Sequence, residues 1–157
     1  SIAMDNILNS YSRVLPRAKE LGIKLCAENR EGTMELPIDD EMSAFLDTLP
    51  EQEVVGYWHD TGHAQIKHEA GLADHYELLS LNSDRLTGFH LHDVTGEDRD
   101  HSEIGTGRIN FDRVSQFFQP HHALVLELHP ALKVEQVRAS HEIILSLLRN
   151  REKEVKS

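Results

Sequence analysis

Two hydrophobic rhythms alternate along the chain. From Met4 to Glu20 the apolar residues Ile7, Leu8, Tyr11, Val14 and Leu15 recur at helical spacing, and Gly22 follows as a stop, which predicts a first helix that Pro16 bends or divides. The segment Ile23-Lys24-Leu25-Cys26-Ala27-Glu28-Asn29 is then a short apolar strand running into the loop Arg30-Glu31-Gly32-Thr33. A second helix is predicted over 40–48. Val54 to Trp58 reads as the next strand, stopping at His59-Asp60-Thr61-Gly62-His63, with helical segments over 64–70 and 73–80. Leu86 to Leu91 makes a third strand ending at His92-Asp93, and a long polar loop leads from it to a helix over 111–118. Ala123 to Leu126 makes the fourth strand, ended by Glu127, before an amphipathic closing helix over 134–149 and a charged tail expected to fray.

Strands that alternate with helices form a parallel sheet, because each crossover returns the chain to the same direction. The strands here are nearly continuous apolar runs, as buried parallel strands are. The fold class is therefore α/β. No low-complexity tract or linker divides the chain, so 1–157 reads as one domain. Ser1-Ile2-Ala3 ahead of Met4 has the look of a short cloning remnant before an initiating methionine.

Composition narrows the function classes. With 39% hydrophobic and 27% charged residues the chain is a globular domain, not a disordered or fibrous one. Its 16 basic and 27 acidic residues give a net charge of −11, which opposes phosphate backbones and anionic membranes, so neither nucleic acid nor a membrane is the expected partner. No apolar run approaches the roughly 20 residues that span a bilayer, and the N-terminus lacks the pattern of a signal peptide, so the expected compartment is the cytoplasm. The single cysteine, Cys26, sits in an apolar strand and reads as a reduced, buried thiol.

Each predicted strand ends in a residue able to bind a metal: Glu28, Asp60, His92 and Glu127, spaced by 32, 32 and 35 residues. That spacing is about one β/α unit, and equivalent positions on successive units converge at the C-terminal face of the sheet, where α/β folds place their sites. Taken singly, each has a plainer reading. Glu28 could be a solvated carboxylate, Asp60 a helix N-cap and His92 a satisfied core histidine. Glu127 is harder to explain away, because Val125-Leu126-Glu127 puts a carboxylate straight onto a buried strand. Together, three carboxylates and an imidazole in one pocket call for a divalent cation.

The segments LCAENREG, HDTGHAQ, GFHLHDVTGEDRDHSEIGTGRINF and VLELHP, spanning roughly 23–130, resemble the second half of a xylose isomerase-like TIM barrel. That superfamily holds sugar isomerases, sugar epimerases and the second family of abasic-site endonucleases. The resemblance implies a partial (β/α) barrel of about four units. It assigns Glu28, Asp60, His92 and Glu127 as metal ligands and makes Glu28 and Glu127 also acid and base on either side of a substrate carbon. His63, in D-x-x-H with Asp60, resembles a substrate-binding or second-metal histidine. His101 fits the superfamily's H-x-x-I-G pattern, and Arg108 in GTGRINF is placed to reach a substrate oxygen or phosphate. Both could equally anchor the loop.

The implied activity is isomerisation or epimerisation of a sugar or sugar phosphate in carbohydrate metabolism, by proton transfer next to a carbonyl. An oxygen-rich ligand set points to Mn²⁺ or Mg²⁺, with Zn²⁺ or Co²⁺ as alternatives. The rival chemistry is phosphodiester hydrolysis of the abasic-site endonuclease type, with His63 and His101 joining a multi-zinc cluster. Against it, the family nucleases carry D-x-H in the loop, whereas Arg99 stands two residues before His101 here. A third reading is a catalytically inactive metal-binding or interaction module. A half-barrel would expose two sheet edges and an inner face, so the expectation is a homo-oligomer or a missing N-terminal half.

Overall fold

The structure, a computed structural model, describes residues 2–96 and 99–154. Ser1 of the expected remnant and residues 155–157 of the expected tail lie outside the described residues. Ile2 and Ala3 form the first turn of α1 (Ile2–Leu21). Pro16 sits inside that helix without ending it, because the stripe of Ile7, Leu8, Tyr11, Leu15 and Ala18 docks on the core and outweighs one lost hydrogen bond. Gly22, at φ +64°, closes it, with its N–H on the Lys19 carbonyl and the Ile23 N–H on that of Ala18.

Four strands, β1 (Leu25–Glu28), β2 (Val55–Asp60), β3 (Leu86–Leu91) and β6 (Ala123–Leu126), form one parallel sheet in the order β1-β2-β3-β6. Between them lie α2 (Met42–Thr48), α3 (Thr61–Glu69), α4 (His75–Leu81) and α5 (Phe111–Ser115), and α6 (Val134–Glu154) closes the chain. The side chains of Ala27, Tyr57, Phe89 and Leu91 project to the helical layer and are at most 3% exposed. The opposite face carries Glu28, Trp58, Asp60, His90, Ala123 and Val125, and on β6 it is open, with Val125 41% exposed. This is the arrangement of a partial TIM barrel: helices outside, the barrel's inner face uncovered.

Several elements differ from expectation, among them β2, which runs on to Asp60, and α3, which starts at Thr61 ahead of the expected 64. The polar loop after β3 contains an antiparallel hairpin, β4 (Asp93–Thr95) with β5 (Arg99–Ser102). Asp93 builds it, its buried carboxylate accepting the N–H groups of Val94, Gly105, Gly107 and Ile109 at 2.9–3.1 Å. A Cβ on Gly107 would stand 2.2 Å from the Val94 carbonyl oxygen, so only glycine fits. The helix expected over 111–118 stops at Ser115. The closing helix runs on to Glu154, because Ile144 and Leu147 bury its inner side and Arg151 donates to the Gln116 carbonyl at 3.1 Å.

Candidate metal centre

Strand register decides which side chains meet. Glu28 is level with Trp58, Asp60 with His90, and His90 with Val125, all on the inner face. Glu127 follows β6 and continues its ladder, its N–H on the Leu91 carbonyl at 3.2 Å. Glu28, Asp60, His90 and Glu127 each bring one ligand atom into a group in which all lie within 4.8 Å of one another. His90 Nδ1 is 3.0 Å from Glu28 Oε1, 3.1 Å from Glu127 Oε2 and 3.9 Å from Asp60 Oδ2. Three of the four expected ligands are thus brought together, and the fourth member is His90, which the sequence reading did not single out. The signal was period-two alternation: in Phe89-His90-Leu91-His92 both histidines share a face, and register selects between them.

His92 lies deeper and is fully buried. Its Nε2 is 3.0 Å from both Asp60 oxygens, and its Nδ1 accepts the His101 N–H at 2.8 Å, so the proton that faces Asp60 sits on Nε2. His92 also stands within ligand reach of His101 and Glu127 as a second group. A Cβ on Gly62 would come 2.1 Å from His92 Cε1, so the first turn of α3 approaches this ring only because residue 62 has no side chain.

Asp60 is fully buried and caps α3, accepting the His63 N–H at 2.8 Å. Burial pushes its carboxyl up, but the His92 hydrogen bond, the electrostatic pull of the His92 and His63 rings and the His63 N–H overcome that and hold it at about 2. The His63 ring reaches the Asn29 carbonyl at 3.1 Å and forms a third group with Glu31 and Asp100. His101 adopts φ +51°, and its ring stacks on His92 at 4.2 Å. Burial lowers its pKa, but the hydrogen bond and charge of Asp100, 3.0 Å away, outweigh this and raise it.

Arg108 lies apart from these groups. It grips Glu69 with Nε at 2.8 Å and Nη2 at 2.7 Å, and donates to the Gly96 carbonyl. These contacts tie its loop to α3, as the loop-anchoring reading of its sequence expects. Asn29 was also missed. Its buried amide donates to the Asp60 carbonyl at 2.9 Å and accepts the Asp60 N–H at 2.8 Å, clamping the ends of β1 and β2 together. A concavity of about 810 Å³ opens at the other end of the strands, beside Lys24, Gln52 and Arg85, away from all three groups.

Comparison with known proteins agrees with this architecture. A family model described as xylose isomerase-like TIM barrel matches residues 2–144. The crystal structure of a D-tagatose 3-epimerase-like protein superposes with a TM-score of 0.76 at 22% identity, over 97% of this chain and 57% of that one. The chain therefore spans little more than half the length of that neighbour. No curated protein matches the sequence.

Proposed function

The chain belongs to the xylose isomerase-like TIM-barrel family, and on that premise we propose that Glu28, Asp60, His90 and Glu127 hold one divalent cation in a sugar isomerase or epimerase, active in complete or paired form. One observation carries the reading: three carboxylates and an imidazole converge at the C-terminal ends of parallel strands, with one carboxylate fully buried. Asp60, held at about 2, is an anion at any physiological pH, and the group's mutual repulsion fits a cation among them. Three oxygen donors to one nitrogen favour Mn²⁺ or Mg²⁺ over Zn²⁺ or Co²⁺.

A bound cation would supply polarisation of the sugar carbonyl and of the neighbouring oxygen that becomes anionic. The proton chemistry falls to the protein. Asp60 is too acidic and too enclosed to act as base. Glu28 and Glu127 flank His90 with 23% and 42% of their side chains exposed, so both reach the open face where a substrate would enter. One removes the proton beside the carbonyl and the other returns a proton to the opposite side of the carbon, which inverts it. His63 and His101 stand beside the group as hydrogen-bonding partners for sugar hydroxyls. Glu127→Gln should lower kcat for ketohexose epimerisation by about 10²–10⁴ in a Mn²⁺-supplemented assay, and unchanged turnover would contradict the role.

The two further groups, His92 with His101 and Glu127, and Glu31 with His63 and Asp100, favour a second reading as a multi-metal phosphodiesterase. Metal analysis of protein purified without chelator separates them. Several zinc ions per chain with cleavage of abasic DNA would support the nuclease; one ion per chain supports the epimerase.

A further inference from the structure

Asp60 lies past the last rung between β1 and β2. That ladder ends at Glu28 with Trp58, so the strand that would take the next hydrogen bonds from β2 has already turned into its loop. The Asn29 side chain fills the gap. Its Nδ2 donates to the Asp60 carbonyl at 2.9 Å and its Oδ1 accepts the Asp60 N–H at 2.8 Å, so one amide takes both bonds that a further strand residue would have made. The same Oδ1 accepts the Tyr57 hydroxyl at 3.1 Å, which fills both of its lone pairs. The amide therefore has one orientation, because a flip would set its NH₂ against two donors and its oxygen against a carbonyl. Asn29, Tyr57 and Asp60 are all fully buried, where such a mismatch is costly.

Through its main chain the same residue reaches a third element. His63 Nδ1 is 3.1 Å from the Asn29 carbonyl, nearer than to Asp60 Oδ1 at 3.6 Å or Glu28 Oε1 at 3.9 Å. A carbonyl only accepts, so Nδ1 carries a proton whatever the charge of the ring, and Nε2 is the nitrogen left to meet a substrate. Glu28 adjoins Asn29 in the chain, so one side chain and one carbonyl bear on Glu28, Asp60 and His63 together.

We propose that Asn29 is a positioning residue for the cation site: its amide sets the spacing of the Glu28 and Asp60 carboxylates, and its carbonyl presents His63 by Nε2. The proposal rests on reading Glu28 and Asp60 as cation ligands. Asparagine alone suits the place. Glutamine would carry its amide one methylene past the Asp60 backbone, aspartate has no donor for the Asp60 carbonyl, and leucine would leave that carbonyl and N–H unpaired in the interior.

Two readouts on the full chain test this, one with cation and one without. In calorimetric titration of chelator-treated protein with Mn²⁺, Asn29→Ala should bind about tenfold or more weakly than the parent. Leu46→Ala, a fully buried truncation on α2, which bears no ligand, should lower the urea midpoint yet leave the Mn²⁺ affinity within about twofold. In the cation-free parent, long-range ¹H–¹⁵N correlation spectra should show His63 protonated on Nδ1, and the Asp60 amide should exchange slowly with solvent. In Asn29→Ala the His63 ring should show both tautomers, and Asp60 amide exchange should be about tenfold faster or more.

If Asn29→Ala does not fold, Asn29→Ser, whose hydroxyl can meet one of the two Asp60 groups, carries the same readouts. Parent-like Mn²⁺ affinity in the folded Asn29 variant would overturn the proposal, and so would an equal loss in Leu46→Ala, which would reduce Asn29 to a structural part. A variant with the parent's His63 tautomer and Asp60 exchange would do the same. A parent that binds no Mn²⁺ removes the cation reading, and the cation-free spectra then decide by themselves whether Asn29 places Asp60 and His63.

Discussion

Among single side chains, His90 distinguishes this account from one built on spacing alone. Its Nδ1 lies between Glu28 and Glu127, and its ring packs 5.1 Å from that of Trp58, the chain's only tryptophan. The Trp58 indole N–H is buried with no hydrogen-bond partner among the described residues, and its ring contact with His90 should make its emission sensitive to what His90 holds. Mn²⁺ added to chelator-treated protein should therefore change Trp58 fluorescence with a saturable profile, and His90→Ala should weaken the apparent affinity by about tenfold or more. A titration unaltered by His90→Ala would contradict the assignment. Glu28, Asp60 and Glu127 were legible in the sequence because a carboxylate at the end of an apolar strand stands out. His90 was not, because two histidines one pleat apart look alike until the neighbouring strand fixes which is level with Asp60. Arg108 was legible as a loop residue, but its partner Glu69 lies on α3, a contact that spacing does not reveal.

At the scale of elements, the contact between α3 and the end of β3 is the tightest constraint. Gly62→Ala would drive a methyl into the His92 ring, and the expected cost is about 1–3 kcal/mol, measurable by urea unfolding; a neutral result would show that the helix can shift. The layer formed by β2, α3 and α4 also predicts a pH response. His75 has its folded pKa pushed down to about 3 from an unfolded value of 6.5, so below pH 6.5 the unfolded chain binds the extra proton. Stability from this group is complete above about 6.5 and is lost as pH falls toward 3, at about 1.4 kcal/mol per pH unit for one proton. His59 is shifted the same way and adds to the slope. Unfolding free energies between pH 4 and 7 should rise with pH, less steeply in His75→Phe, and a flat profile would contradict the buried neutral pair. The third and fourth strands were readable to the residue, since buried parallel strands are uninterrupted apolar runs. The β4 and β5 hairpin was not, because it is built by the Asp93 carboxylate collecting backbone N–H groups, an arrangement with no hydrophobic period.

For the whole molecule, the open face decides what the chain does next. The sheet has β1 and β6 at its edges, Val125 is 41% exposed on the inner face, and the chain spans 57% of its structural neighbour. Two copies pairing through these edges would cover the face, so light scattering after size exclusion should report a dimer, and a stable monomer across concentrations would contradict pairing. Among the described residues no helix is long and apolar enough to cross a membrane. The half-barrel was legible because four strand-and-helix repeats cannot close a barrel; what covers its face is not written in periodicity. The central claim is that Glu28, Asp60, His90 and Glu127 form one cation site, and calorimetric titration of chelator-treated protein with Mn²⁺ tests it most directly. The account predicts one ion per chain, with binding lost in a Glu28→Gln, Glu127→Gln double variant that keeps its fold; no binding, or binding indifferent to that double substitution, would contradict it.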